Sequence, residues 1–155
     1  DASMSTLYNR GRSLLMLSEL DKAQQCLHSA ACYFSGVISD NNNILEKDQK
    51  KRFYFRILND LGETYLRNNN LNQAEQAFRQ AFNGQKQYLH ESHPATFAVR
   101  LNIGRVCAER LQFASARNIF NYIIATYTGW WGRRHSETMR AVDELANSYM
   151  RHGKT

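Results

Sequence analysis

Proline occurs once and glycine only eight times in the 155 residues. So small a supply of turn formers argues against a sandwich or barrel of many short strands and favours helices. Long apolar runs are missing as well: none approaches the roughly 18 residues that a bilayer crossing requires, so no membrane partner is expected. The opening "DASMSTLYNR" lacks the basic-then-apolar layout of a signal peptide and begins abruptly, as a piece of a longer protein would. Cysteine is limited to Cys26, Cys32 and Cys107. An odd number without CxxC spacing argues against a disulfide framework and a zinc site, and points to buried reduced thiols in a cytoplasmic protein.

The marks of chemistry are absent too. There is no Gly-rich phosphate loop, and the five histidines never form HxxxH or HExxH spacing. No carboxylate or cysteine is arranged around a histidine in a way that suggests a catalytic site. An enzyme, a metal site and a cofactor are therefore not expected.

What the chain does have is apolar residues, 43% of the total, enough to build a core. Twenty Lys and Arg against 14 Asp and Glu leave a net charge of +6. That charge steers acidic partners mildly. The basic residues are scattered rather than run together, so nucleic acid is not the expected partner.

The chain also repeats itself. A shift of 42 residues carries Leu61 to Ile103, Gly62 to Gly104, Ala74 to Ala116 and Phe78 to Phe120. A further 42 carries Ile103 to Leu145, Gly104 to Ala146 and Cys107 to Tyr149. The connecting segments agree as well: "LHESHPAT" lies over "WGRRHSET", matching His93 with His135 and Thr96 with Thr138. Backwards the offset is 51, taking Gly62 to Gly11, Ala74 to Ala23, Phe78 to Leu27 and Ala81 to Ala30. The nine additional residues fall around "SDNNNILEKDQ". Agreement across two helices and a linker identifies a repeat array, and arrays bury their core by stacking neighbours.

Each unit reads as a helical hairpin. Apolar periodicity and breakers predict helices over 2–17, 21–39, 46–68, 71–89, 94–110, 113–128 and 136–152. The tracts "GWWG" and "NNN" read as breakers between units. Asn70 with Gln73 predicts a capping box, and Pro94 suits a first helical turn. Close-packed antiparallel helices leave little room at their contact points, so Gly62 and Ala74 are expected to meet within one hairpin. Tyr65 and Phe78 would then fill the wider spaces, and Ala81 would let the next hairpin approach.

With "LGETY" (61–65) and "AEQAFRQA" (74–81) the pattern resembles the tetratricopeptide repeat, in which Leu-Gly-x-x-Tyr and Ala-x-x-x-Phe-x-x-Ala mark the two helices. The 42-residue period and "HPAT" are similar to the kinesin-light-chain variety. The resemblance implies an all-α, right-handed α-solenoid of about three hairpins plus one extra helix. As one array over 1–155, its units would be 2–40, 46–89 and 94–128, followed by a terminal helix at 136–152. It further implies a concave groove that binds a peptide segment or partner protein, without catalysis. The alternative is a regulatory or oligomerisation module of a larger signalling or transcription-regulating protein, which would allow self-association.

Repeat register selects the groove residues. One row is Asn9, Asp60, Asn102 and Glu144, and one turn along lie Arg12, Glu63, Arg105 and Asn147. Arg56, Asn59, Arg67, Glu109 and Arg140 flank them. Asparagine can pair with the backbone of an extended peptide, and arginine captures carboxylates bidentately. The plainer alternative is a solvated face laced with cross-repeat ion pairs, each worth under about 1 kcal/mol. In "TGWWGRR", Trp131 aligns with Leu89 and is expected to plug the repeat junction. Trp130 has no such duty and, if exposed, would serve as a binding anchor.

Overall fold

The computed structural model describes residues 2–40 and 43–154, and among these there are seven α-helices and no strand. They are α1 (Ala2–Met16), α2 (Leu20–Asp40), α3 (Ile44–Arg67), α4 (Leu71–Leu89), α5 (Pro94–Glu109), α6 (Phe113–Trp131) and α7 (Ser136–Gly153). Six of the seven end within two residues of the positions expected from periodicity. The exception is α6, which continues through Gly129, Trp130 and Trp131. The breaker in "GWWG" is its second glycine, Gly132, at φ 86°. Asn43 caps α3 by accepting a hydrogen bond from the Leu45 amide; the rest of that "NNN" tract, 41–42, lies outside the described residues.

The helices gather into two compact units, residues 1–96 and 97–155. In unit 1, α2 packs against α1 and α3, and α3 packs against α4. Leu58, Leu61, Tyr65 and Leu66 of α3 are buried, as are Ala74, Ala77 and Phe78 of α4. In unit 2, Phe97, Leu101 and Ala108 of α5, Ala116, Phe120, Ile123 and Tyr127 of α6, and Ala141 of α7 form one cluster.

The nearest neighbours of the hairpin glycines are large side chains. A methyl group placed at Gly62 would lie 2.6 Å from Cε1 of Phe78, and one at Gly104 would lie 2.7 Å from Cε1 of Phe120. At Gly11 the obstruction is Leu27, 2.8 Å away. Each hairpin therefore seats a large second-helix side chain directly on a bare patch of first-helix backbone. The expectation that Phe78 fills a wider space is corrected: the ring needs the missing Cβ itself.

The hairpin turns repeat at atomic level. Ser18, Asn69 and Leu111, at equivalent positions, have φ of 60°, 59° and 62°. Each is followed by two crossed backbone bonds that close the helix end. In unit 1 Asn69 N–H donates to Leu66 O (3.1 Å) and Asn70 N–H to Tyr65 O (2.8 Å). In unit 2 Leu111 N–H donates to Ala108 O (3.0 Å) and Gln112 N–H to Cys107 O (2.9 Å). A left-handed residue with this bond pair satisfies the orphan carbonyls at a helix C-terminus. The capping box expected at Asn70 is absent: its side chain makes no cap bond.

The repeated linkers are helix starts. His93 Nδ1 accepts from the Ala95 amide (3.1 Å), and His135 Nδ1 accepts from the Glu137 amide (3.3 Å). Thr96 Oγ1 donates to His90 O (3.1 Å), and Thr138 Oγ1 donates to Gly132 O (3.0 Å). Histidine supplies the cap and threonine ties back the preceding chain, which explains why both recur. The three cysteines are free thiols, but none is fully buried and Cys32 is exposed, contrary to expectation.

Candidate functional site

The first helices of the hairpins, α1, α3, α5 and α7, carry the polar positions picked out by register. In unit 1 they converge on Asp60. Tyr8 Oη donates to Asp60 Oδ2 at 2.7 Å, and Arg12 Nε lies 3.4 Å from the same oxygen. Burial pushes the Asp60 carboxyl above its ordinary range, despite the Tyr8 hydrogen bond and the charges of Arg12 and Arg56, which act the other way. The Tyr8 phenol is pushed up to about 12, first by burial and then by Asp60. Arg67 clasps Glu63 (2.9 Å) and donates from Nη1 to Leu15 O (3.2 Å), tying α3 to the end of α1.

In unit 2 the same register brings α5 and α7 together. Arg105 Nε stands 3.3 Å from Glu144, while its Nη1 donates to Asn102 Oδ1 at 3.1 Å. Glu109 pairs with Arg151. Between these pairs lies a recess of about 210 Å³ lined by Arg105, Glu109, Glu144, Asn147, Ser148 and Arg151. The Ser148 side chain is buried, and its hydroxyl has no hydrogen-bond partner. A buried hydroxyl without a partner is unfavourable, so a donor or acceptor entering the recess would be stabilised there.

The remaining expected residues are placed as follows. Asn9 is exposed on α1, and Asn59 is half-buried on α3. Arg56 is exposed, on a different recess from the one in unit 2. Asn102 is buried, 5% exposed, and orients Arg105 from behind. Arg140 is exposed and pairs within its own helix with Glu137 (3.8 Å). Trp130 is 40% exposed and meets Phe97 edge to face at 5.1 Å. Trp131 is 38% exposed and packs on Tyr127 (4.9 Å) and His135 (4.6 Å), so it covers the turn rather than plugging it. Ser148 and Arg151 escaped the sequence reading. Arg151 is a basic residue near a helix end, and Ser148 had no signal beyond its place in the register.

Residues 53–128 match the tetratricopeptide repeat family. No curated protein matches the sequence. Among solved structures, nearly identical TPR-like repeats assigned to a kinesin light chain of Podosopora anserina superpose with a TM-score of 0.73 at 15% identity. That alignment covers 97% of this chain and 67% of that one; a single-substitution form gives 0.73 at 16%. BtubC (BKLC) from P. vanneervenii gives 0.60 at 12% identity, covering 97% of this chain and 70% of that one. At such identities the likeness shows the fold, an all-α helical repeat. Repeats of this kind generally mediate protein–protein interaction and are typically non-enzymatic.

Proposed function

From a chain whose residues 53–128 are tetratricopeptide repeats, we propose an interaction scaffold that holds a peptide segment or partner protein along its first helices. The observation that carries this reading is the α5–α7 recess. Its walls present both signs of charge, the Asn147 amide and the unpartnered Ser148 hydroxyl. The ion pairs beside it are partly solvated, so each contributes under about 1 kcal/mol and can open to a visitor. Arg105 and Arg151 would take carboxylates, Glu109 and Glu144 would take amines, and Asn147 would take peptide backbone. Unit 1 presents a polar surface of its own with Asn9, Arg12, Arg56, Asn59, Glu63 and Arg67. Asn102 supports Arg105, and Arg140 and Trp130 are outlying contacts.

The test is a peptide display library panned on the wild-type chain. Selected peptides are expected to lose about tenfold in affinity with Arg105→Ala plus Asn147→Ala, about 1.4 kcal/mol, while the melting temperature holds. Unchanged affinity in a folded double variant would remove the recess from the binding surface.

One observation favours a second reading, self-association. Met139 and Met150 on α7 are 48% and 60% exposed, whereas their register counterparts Phe97 and Ala108 are buried. A recess of about 560 Å³ beside Met139 and Val142 adds further apolar surface. Sedimentation over a concentration series separates the two readings, because a strictly monomeric chain removes the second.

A further inference from the structure

A different recess, in unit 1, lies between α3 and α4 and encloses about 250 Å³. Its walls are aromatic and aliphatic: Phe55 from α3, and Tyr88 and Leu89 from α4. The wall is constructed at the expense of a side chain, since Gly84 leaves α4 backbone bare where the Phe55 ring lies against it. Phe55 and Tyr88 stack with centroids 6.1 Å apart and planes 29° apart. Lys51 fixes the second ring, donating to the Tyr88 hydroxyl while its ammonium sits 4.8 Å from the ring centre.

Two polar features break this apolar lining. Gln85 is only 5% exposed, and its Oε1 accepts no hydrogen bond. An enclosed carbonyl oxygen without a donor is costly, and here it belongs to a residue lining the recess. On the solvent side stand Arg52 and Arg56, one turn apart on α3 and both exposed. Arg52 enters no ion pair or hydrogen bond among the described residues, and Arg56 acts only through space on Tyr8 and Asp60.

We infer that this recess is a binding pocket for a small aromatic acid, a single ring with a hydrogen-bond donor at its inner end and a carboxylate at its outer end. Each part answers an observation. The ring fills the space beside Phe55 and Tyr88. The donor satisfies Gln85 Oε1. The carboxylate meets two guanidiniums that have no carboxylate partner in hydrogen-bonding range. The volume suits one ring and limits the ligand to a small molecule. This pocket shares no residue with the α5–α7 recess, and of the residues in the peptide reading only Arg56 lines it.

The probes are 4-hydroxyphenylacetate, phenylacetate, which lacks the donor, and 4-hydroxyphenethyl alcohol, which lacks the anion. Binding is followed by NMR at the Gln85 side-chain amide and the Phe55 ring of the wild-type chain. The hydroxylated acid is expected to give saturable shifts at millimolar concentration, with each of the other two about tenfold weaker. Gln85→Leu is expected to melt no lower than wild type and to erase the difference between the two acids. Arg52→Gln with Arg56→Gln is expected to erase the difference between acid and alcohol. The inference is overturned by the absence of saturable shifts, by equal affinity of all three probes, or by binding of an internal Tyr-Glu peptide where the free acid does not bind.

Discussion

In unit 1 the acid that joins two first helices is Asp60, and in unit 2 the acid at the equivalent position is Glu144. Their side chains are exposed to similar extents, 21% and 25%, so the contrast lies in their partners. Asp60 receives the hydroxyl of Tyr8, a residue only 3% exposed, in addition to an ion pair with Arg12 at 3.4 Å. Leu101 stands in the register position of Tyr8 and has no hydroxyl to give, so Glu144 depends on Arg105 alone. A buried phenol binds the first acid, whereas the second acid lines a polar recess. A repeat can thus keep its register while one substitution changes the partners of the acid at a joint.

The largest expected effects test whether the hairpins beneath these joints are built alike. Gly62→Val and Gly104→Val would each drive a side chain into a phenylalanine ring and are expected to destabilise by about 3 kcal/mol. Gly129→Ala, where nothing lies within 4 Å, is expected to gain about 0.5–1 kcal/mol. Chemical denaturation of the three variants checks this, and a cost at only one of the two buried glycines would break the equivalence of the hairpins.

Backbone strain gives the next effect. Unit 1 places Asn69 at the left-handed turn position, which asparagine tolerates, whereas unit 2 places Leu111 there, 58% exposed and without packing to lose. Leu111→Gly is expected to raise stability by about 1 kcal/mol, and Asn69→Gly to change it much less. The linkers reverse the contrast. Unit 2 has Gly132 (φ 86°, ψ 168°), and unit 1 has His90 (φ 63°, ψ 158°) in a region that otherwise belongs to glycine. His90→Gly is expected to stabilise by about 1 kcal/mol in the same assay.

Smaller still is the charge effect at the joints. Asp60→Asn keeps an acceptor for Tyr8 and removes a carboxylate that burial disfavours, so it is expected to be neutral or stabilising at pH 7. Glu144→Gln is expected to cost a few tenths of a kcal/mol. The pH dependence has a definite sign. The folded carboxyl of Asp60 lies above its ordinary value of 3.8, so the native state holds the proton longer. Its contribution to stability is therefore most favourable below 3.8 and declines as pH rises through the folded value. Stability curves of wild type and Asp60→Asn should differ by that slope, and parallel curves would show that burial does not govern this carboxyl.

The smallest effect is spectroscopic. Tyr8 and Tyr127, one in each unit, are both pushed up to about 12, chiefly by burial. Burial raises Tyr65 as well, so ultraviolet titration is expected to show three late-ionising tyrosines, one of which disappears in Tyr8→Phe.

Much of this was legible in the chain. Six of the seven helices fall within two residues of their expected ends because apolar spacing and the repeat agree on them. Register also put Arg12, Asp60, Arg105 and Glu144 on the first helices, where they form the cross-repeat ion pairs of the plainer alternative, Arg12 with Asp60 and Arg105 with Glu144. Other features depended on atoms that spacing does not carry. The nearest neighbour of Gly62 and of Gly104 is a ring, since the fit depends on side-chain direction. The end of α3 is closed by backbone bonds around Asn69, so no capping box forms. Asn102 is covered while Asn9, at the equivalent position, is not, because coverage depends on which neighbours pack above each residue.

The sequence by itself determined the helices, the period and the positions where backbone must be bare, because these follow from residue size and apolar spacing along one chain. Only the tertiary structure decided which polar residues are sealed, which are paired and which face a recess. Those outcomes depend on distances between side chains far apart in sequence, where a phenol in place of a leucine gives an acid a second partner.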